Sequence, residues 1–374
     1  MTEGMQGKTA ETIEEMTRNH TVGGKKSQSV QVVGGRMRGC QSIEFEKLPL
    51  ILEYASVAGS KESRGPLKDE FDECCTDDLF GSDTWEKAES AMQKRTVDLL
   101  LKKARLNESD IRYLFAGDLL GQLIASTFGL RDFEIPFFGL YGACSTMGEA
   151  LSLGSVMISA VYAKHVITLA SSHFASAEKT FRFPLEYGNQ RPYSATWTVT
   201  GCGALILGDE ETTDLKAKAR IRGITTGKIV DFGVKDSMNM GACMAPAAAD
   251  VIRANLADFG YDVDEYDKII TGDLGYTGQT ILLDLLNAID IDIERQHLDC
   301  GIEMFDSEKQ DTHSGGSGCG CSATTLCGHI MKKIESGEWK KVLFVPTGAL
   351  LSPISFNEGQ SVPGIAHAVV IEGV

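Results

Sequence analysis

Three stretches of this 374-residue chain occur twice, in the same order. Tyr113-Leu-Phe-Ala-Gly-Asp118-Leu returns 155 positions later as Lys268-Ile-Ile-Thr-Gly-Asp273-Leu. Gly142-Ala-Cys144-Ser-Thr-Met, with Lys164-His-Val166-Ile-Thr-Leu beyond it, returns 176 positions later as Gly318-Cys-Gly320-Cys-Ser-Ala and Lys340-Lys-Val342-Leu-Phe-Val. Gly201-Cys-Gly-Ala-Leu-Ile-Leu-Gly has its counterpart in Gly364-Ile-Ala-His-Ala-Val-Val-Ile. Ordered matches of this kind mean two copies of one structural unit. The offset grows by about 21 residues between the first two matches, so the second copy carries an insertion before its Gly-rich loop.

Each copy reads as α/β. Short apolar runs predict strands at 43–45, 50–54, 111–115, 166–169, 204–207, 269–271, 342–345 and 368–371. Stretches of 3.6-residue periodicity predict helices over 85–104, 146–163, 245–259, 280–289 and 323–336. Alternation of the two implies largely parallel or mixed sheets. Residues 1–33 are polar, with a short helix-prone stretch at 9–20 and a Gly23-Gly24-Lys25-Lys26-Ser27 linker, and read as a flexible arm. The halves then divide as 34–210 and 211–374.

Composition narrows the function. Lys and Arg number 36 against 52 Asp and Glu, a net charge of −16. That excludes a general nucleic-acid binder, which needs basic patches, and adhesion to an anionic membrane by charge alone. The longest apolar stretch, Val156 to Ala170, is broken by Lys164 and His165, so no membrane-spanning helix is expected. Residues 1–30 lack the apolar core of a secretory signal. A cytoplasmic protein, not a secreted one, is expected. Ten Cys occur without metal-ligand spacing, as expected of reduced thiols in a chain with no metal and no cofactor.

Three places carry chemistry. Cys144 follows the strand-like Phe137-Phe138-Gly139-Leu140 and opens a helix, where free N–H groups would stabilise a thiolate. That helix is apolar on nearly every face, so Cys144 lies at the bottom of a pocket, or is simply a small buried thiol at a turn. The loop Ser314-Gly-Gly316-Ser317-Gly-Cys-Gly320-Cys-Ser-Ala323 could converge backbone N–H groups on an anion, or make a tight turn between packed elements. The stretch from Ser171 to Pro192 gathers His173, Arg182, Tyr187 and Arg191 around Glu178 and Glu186. In so acidic a chain it is a candidate anion site, or an ordinary solvated loop with ion pairs.

The repeat with a Cys at the head of its central helix resembles the thiolase superfamily, which includes the ketoacyl synthases. More closely, the chain resembles the stage V sporulation protein AD family of spore-forming bacteria. The stretches that carry this are Phe138-Gly-Leu-Tyr-Gly-Ala-Cys144-Ser-Thr, Ser171-Ser-His173, Met244-Ala-Pro-Ala-Ala-Ala-Asp250, Gly315-Gly-Ser-Gly-Cys-Gly-Cys-Ser-Ala and Thr347-Gly-Ala-Leu-Leu-Ser-Pro353. The resemblance covers Gly34 to the C-terminus. It implies a layered αβαβα fold with two mixed sheets around buried central helices, and a homodimer. It also implies a binder of dipicolinic acid, free or as the calcium chelate, that supports its uptake into the developing spore as a peripheral component of a membrane transport assembly, beside membrane proteins of the same operon. The expected ligand-binding residues are Cys144, His173, Arg182, Tyr187, Arg191, Gly316 and Ser317. An acyltransferase with Cys144 as nucleophile and His313 as base is the alternative. Against it, the second-copy loop has no Gly-His-Pro or Gly-Asn-Thr motif, and Thr347-Gly-Ala replaces a C-terminal Cys-Gly-Gly motif.

Overall fold

The computed structural model describes residues 31–32, 35–182, 185, 190–210 and 215–374. The arm, apart from Gln31 and Val32, and Tyr187 lie outside the described residues.

Each half of the chain lays down five strands in one pattern. The first half contributes β1 (Leu50–Ala58), β2 (Tyr113–Gly117), β3 (Phe137–Gly139), β4 (His165–Ser172) and β5 (Gly201–Gly208). The second contributes β6 (Ala219–Thr225), β7 (Lys268–Thr271), β8 (His297–Asp299), β9 (Lys341–Val345) and β10 (Ala368–Glu372). The sheet order is β1-β5-β4-β2-β3 in one half and β6-β10-β9-β7-β8 in the other. In both, the first two pairings are antiparallel and the last two parallel. Six helices repeat as well: α1 (Trp85–Ala104), α2 (Ile124–Leu130) and α3 (Thr146–Ser159), then α4 (Met240–Phe259), α5 (Gly275–Asn287) and α6 (Cys319–Thr325). The internal repeat is therefore a structural duplication. The two sheets expected separately join edge to edge: β6 and β1 pair over Ala219↔Ile51 and Arg220↔Leu50, which makes one continuous path.

The period-2 alternation of strand side chains separates the layers. Along β5, Leu205 and Leu207 face a central cluster, whereas Cys202, Ala204 and Ile206 face an outer one. Along β9, Val342 and Phe344 face the same central cluster, and Leu343 and Val345 face a third. Met147, Leu151 and Ile158 of α3 share the central cluster with Ala323 of α6 and with Leu326 and Ile330 beyond it. Helix α1 covers one outer face through Met92, Val97 and Leu100; α4 and α5 cover the other through Val251, Ile252 and Leu286. The result is αβαβα with α3 and α6 innermost, which is why α3 is apolar almost all round.

Helix starts differ from the periodicity. Asn239 caps α4 by accepting from the Ala242 N–H, so the helix begins five residues before Ala245 and carries Pro246 in its second turn. The start of α5 is held by Asp299, whose carboxylate accepts from the N–H groups of Leu274 and Gly275 at 2.8 and 3.0 Å. Helix α6 lies almost on the sheet backbone. A Cβ at Gly203 would come within 2.1 Å of the Ala323 carbonyl oxygen, and one at Gly320 within 2.4 Å of that of Gly201. This close approach brings the head of α6 beside the head of α3.

Candidate functional site

The heads of the two central helices form the floor of a cavity of about 370 Å³. A short turn, Ala143–Ser145, precedes α3, and Ala143 holds a left-handed φ of 51°. Such a conformation is uncommon for a residue with a Cβ and turns the next side chain sharply, here Cys144 into the cavity floor. The α6 side contributes Ser317 and Gly318; Gly318, at φ 100°, has a backbone that favours glycine. Apolar walls come from Leu119, Ala177, Phe181, Met240, Leu350 and Leu351, and polar atoms from Tyr141, Thr180, Thr198 and Ser352. No Lys, Arg, His or Asn lines the cavity among the described residues.

Asp273 sits directly behind this floor, one residue past Gly272 at the end of β7. It is 1% exposed. Its Oδ2 accepts from the Ser317 hydroxyl at 3.0 Å and from the Gly318 N–H at 3.0 Å, and its Oδ1 from the Thr347 hydroxyl at 2.7 Å. The Cys144 thiol lies against the same carboxylate. Burial pushes the Asp273 carboxyl up to about 6, with the hydrogen bonds opposing and Asp299 adding. The Cys144 thiol is held well above its ordinary value by burial, then by the charges of Asp273 and Cys319. The expected thiolate is therefore corrected: the helix-head position is outweighed by desolvation beside a carboxylate.

The glycine loop is likewise no open cradle. The Gly318 N–H goes to Asp273, the Gly320 N–H to the Ser172 hydroxyl at 3.1 Å, and the Gly315 N–H to the Thr312 carbonyl at 3.1 Å. Of the residues singled out in the sequence, Cys144 and Ser317 line the cavity. Gly316 lies beside it, paired with Trp197. His173 is buried and caps the short helix Phe174–Glu178: its Nδ1 accepts from the Ala175 N–H, and its Nε2 donates to the Asp78 carbonyl at 2.8 Å. Arg182 pairs with the buried Glu178 at 2.6 Å and donates to the Thr196 carbonyl at 3.2 Å. Arg191 donates to the Asp311 carbonyl at 2.5 Å and lies 4.9 Å from the Trp197 ring centroid. His313 meets the Pro192 carbonyl at 2.9 Å and Asp311 at 3.1 Å. The structure brings none of these four to the cavity. Their cluster braces the wall from behind, Arg182 following Phe181 directly.

Sequence reasoning missed Asp273 and Thr347 as site residues. The signal was the duplicated Gly-Asp-Leu: a carboxylate at the end of a buried strand in both copies. In the first copy, Asp118 is satisfied locally by the Leu120 N–H, the Ser126 N–H and the Ser126 hydroxyl. In the second, Asp273 turns to the cavity floor. All ten Cys are free and seven are buried. Among the described residues no cluster of three or more His, Cys, Asp or Glu is placed to hold a metal ion, and no helix is long and apolar enough to cross a membrane.

A family model described as stage V sporulation protein AD matches residues 39–372. The chain belongs to the stage V sporulation protein AD family. It is 38% identical over 337 residues to the stage V sporulation protein AD of Bacillus subtilis (strain 168), covering 90% of this chain and 98% of that relative. In structure it is similar to human mitochondrial 3-ketoacyl-CoA thiolase in complex with CoA, at a TM-score of 0.54 and 13% identity over 88% of this chain and 98% of that one. It is also similar to 3-oxoacyl-[acyl-carrier-protein] synthase III from Aquifex aeolicus VF5, at a TM-score of 0.52 and 13% identity over 87% and 99%. At such identity these two show the fold alone: this sporulation-family chain has the thiolase architecture.

Proposed function

We propose that the chain binds dipicolinic acid in the Cys144 cavity, as the free acid or its calcium chelate, and does not catalyse acyl transfer. Membership of the sporulation family supports the ligand, through what the resemblance implies. The observation that carries the absence of catalysis is the cavity floor: burial beside the Asp273 carboxylate keeps the proton on the Cys144 thiol, and no His or Asn lines the cavity among the described residues. A condensing enzyme needs an activated nucleophile and donors aimed at the developing oxyanion. Here the thiol is pushed up rather than down. The volume agrees: about 370 Å³ is at the small end of ligand pockets, roughly 300–1,000 Å³, and suits one flat ring better than a long acyl chain. Support of dipicolinic acid uptake into the developing spore, as a peripheral component of a membrane transport assembly, and a homodimer complete the reading.

Calorimetric titration of the full chain with dipicolinate, with and without calcium, tests it. Saturable binding near one ligand per chain is expected. Absence of heat under both conditions, with the protein folded, would reject the reading. A Cys144-linked acyl mass after incubation with acyl-CoA donors would instead favour the acyltransferase, whose support is the retained bend at Ala143–Cys144.

A further inference from the structure

The cavity holds an arrangement at odds with an anionic ligand. Carboxylic acids ionise near pH 4, so a dicarboxylate arrives as a dianion at neutral pH. A buried anion needs donors or cations. No cation lines this cavity among the described residues, and the Ser317 and Gly318 donors of its floor are turned to Asp273. The Cys144 thiol, the Ser317 hydroxyl and the Gly318 N–H all converge on Asp273 behind. The groups facing Asp273 from its other neighbours are acids and thiols: Asp299 at the end of β8, Cys300 after it, and Cys319 and Cys321 on α6. Nothing among them offsets a second negative charge.

We propose that binding a dicarboxylate in this cavity places a proton on Asp273, and that this releases the Ser317 hydroxyl to hold a carboxylate of the ligand. This rests on the reading of the cavity as a dicarboxylate site. One proton leaves the solvent and one O–H bond forms on Asp273; no other bond changes. Protonated at Oδ2, the residue becomes a donor, and the Ser317 oxygen 3.0 Å away becomes its acceptor, which turns the Ser317 hydrogen toward the cavity. The Thr347 hydroxyl keeps its place on Oδ1. Burial already holds Asp273 at about 6, so the proton is close to being taken up before the ligand arrives. Asp273 is thus a positioning residue that makes the affinity for a dianion depend on pH.

The experiment is titration of the full chain with dipicolinate between pH 6 and 8, in paired buffers of different ionisation enthalpy, which reports the protons exchanged on binding. Uptake of close to one proton per ligand is expected at neutral pH. Affinity should weaken by up to about tenfold per pH unit above about 6. Asp273→Asn should bind without that uptake and with a flat pH profile; Ser317→Ala should keep the uptake but bind more weakly. Wild-type binding with no buffer dependence overturns the proposal without touching the cavity reading, and needs no variant. Proton uptake that persists in Asp273→Asn overturns it too. No binding at any pH by the folded protein removes the cavity reading and this proposal together.

Discussion

At the scale of single residues, charge decides what the cluster around 173–191 does. Arg182 and Glu178 are 9% and 0% exposed in their side chains, and their contact is 2.6 Å. A charge buried so deeply is tolerable only with its partner. Arg182→Ala should therefore cost about 3–5 kcal/mol of folding stability by stranding Glu178, read as a lower urea midpoint. Arg182→Met with Glu178→Gln should recover most of it. A single variant as stable as the parent would show that the pair is not structural. The same logic explains what sequence reading could and could not see. Cys144 was legible because its surroundings are local: a strand-like run, a turn and an apolar helix. The role of Asp273 was not, because its donors come from 44, 45 and 74 positions away. Arg182, Arg191 and His173 were expected to serve a ligand and His313 an acyl transfer, yet each has a partner inside the fold.

Among elements, the strands buried on both faces were the plainest in the sequence, since a short apolar run such as 204–207, bounded by glycines, reads as a central strand. Strand β6, where Arg220 and Arg222 alternate with buried residues, and the three-residue β8 leave no such run. The start of α5 depends on Asp299 from a neighbouring strand, a partner no local pattern reveals. Strand β3 is the edge of its half-sheet, with Phe137 and Phe138 each 42% exposed and Phe128 on the adjacent α2 53% exposed. Successive strand residues face opposite ways, so both faces of this edge are uncovered. An unprotected apolar edge invites pairing with another chain, and it is the surface a homodimer would bury. Phe137→Asp should then convert a species of twice 40.4 kDa into one of 40.4 kDa in sedimentation. A parent chain that sediments as a monomer would refute the dimer; a variant that stays dimeric would move the interface elsewhere.

Over the whole molecule, folding buries acids and histidines together, and their opposed shifts make stability depend on pH. Burial raises Glu62 from 4.5 to about 7, and its Oε1 accepts from the Thr200 N–H at 3.0 Å. Burial, then the charge of Asp118, raises Glu89 as well. A carboxyl raised on folding contributes stability that is complete below its unfolded value and is lost as pH rises through the folded one. Burial lowers His297 and His367 from 6.5 to about 4, and lowers His173 and His329 too. A histidine depressed on folding acts in the other sense: its stabilising share is present above 6.5 and is lost as pH falls through its folded value. Between pH 4.5 and 6.5 the two sets oppose each other. Above 6.5 the histidines are neutral in both states, and only the carboxyls still change. Each unmatched proton alters stability by about 1.4 kcal/mol per pH unit. Stability should therefore fall by on the order of 1–2 kcal/mol between pH 6.5 and 8. Urea unfolding at the two pH values measures it. Glu62→Gln should flatten the decline without removing it, since Glu89 remains. A profile that rises from pH 6.5 to 8 would mean that these carboxyls ionise in the native state at little cost, and that the interior around them is wetter than its packing implies.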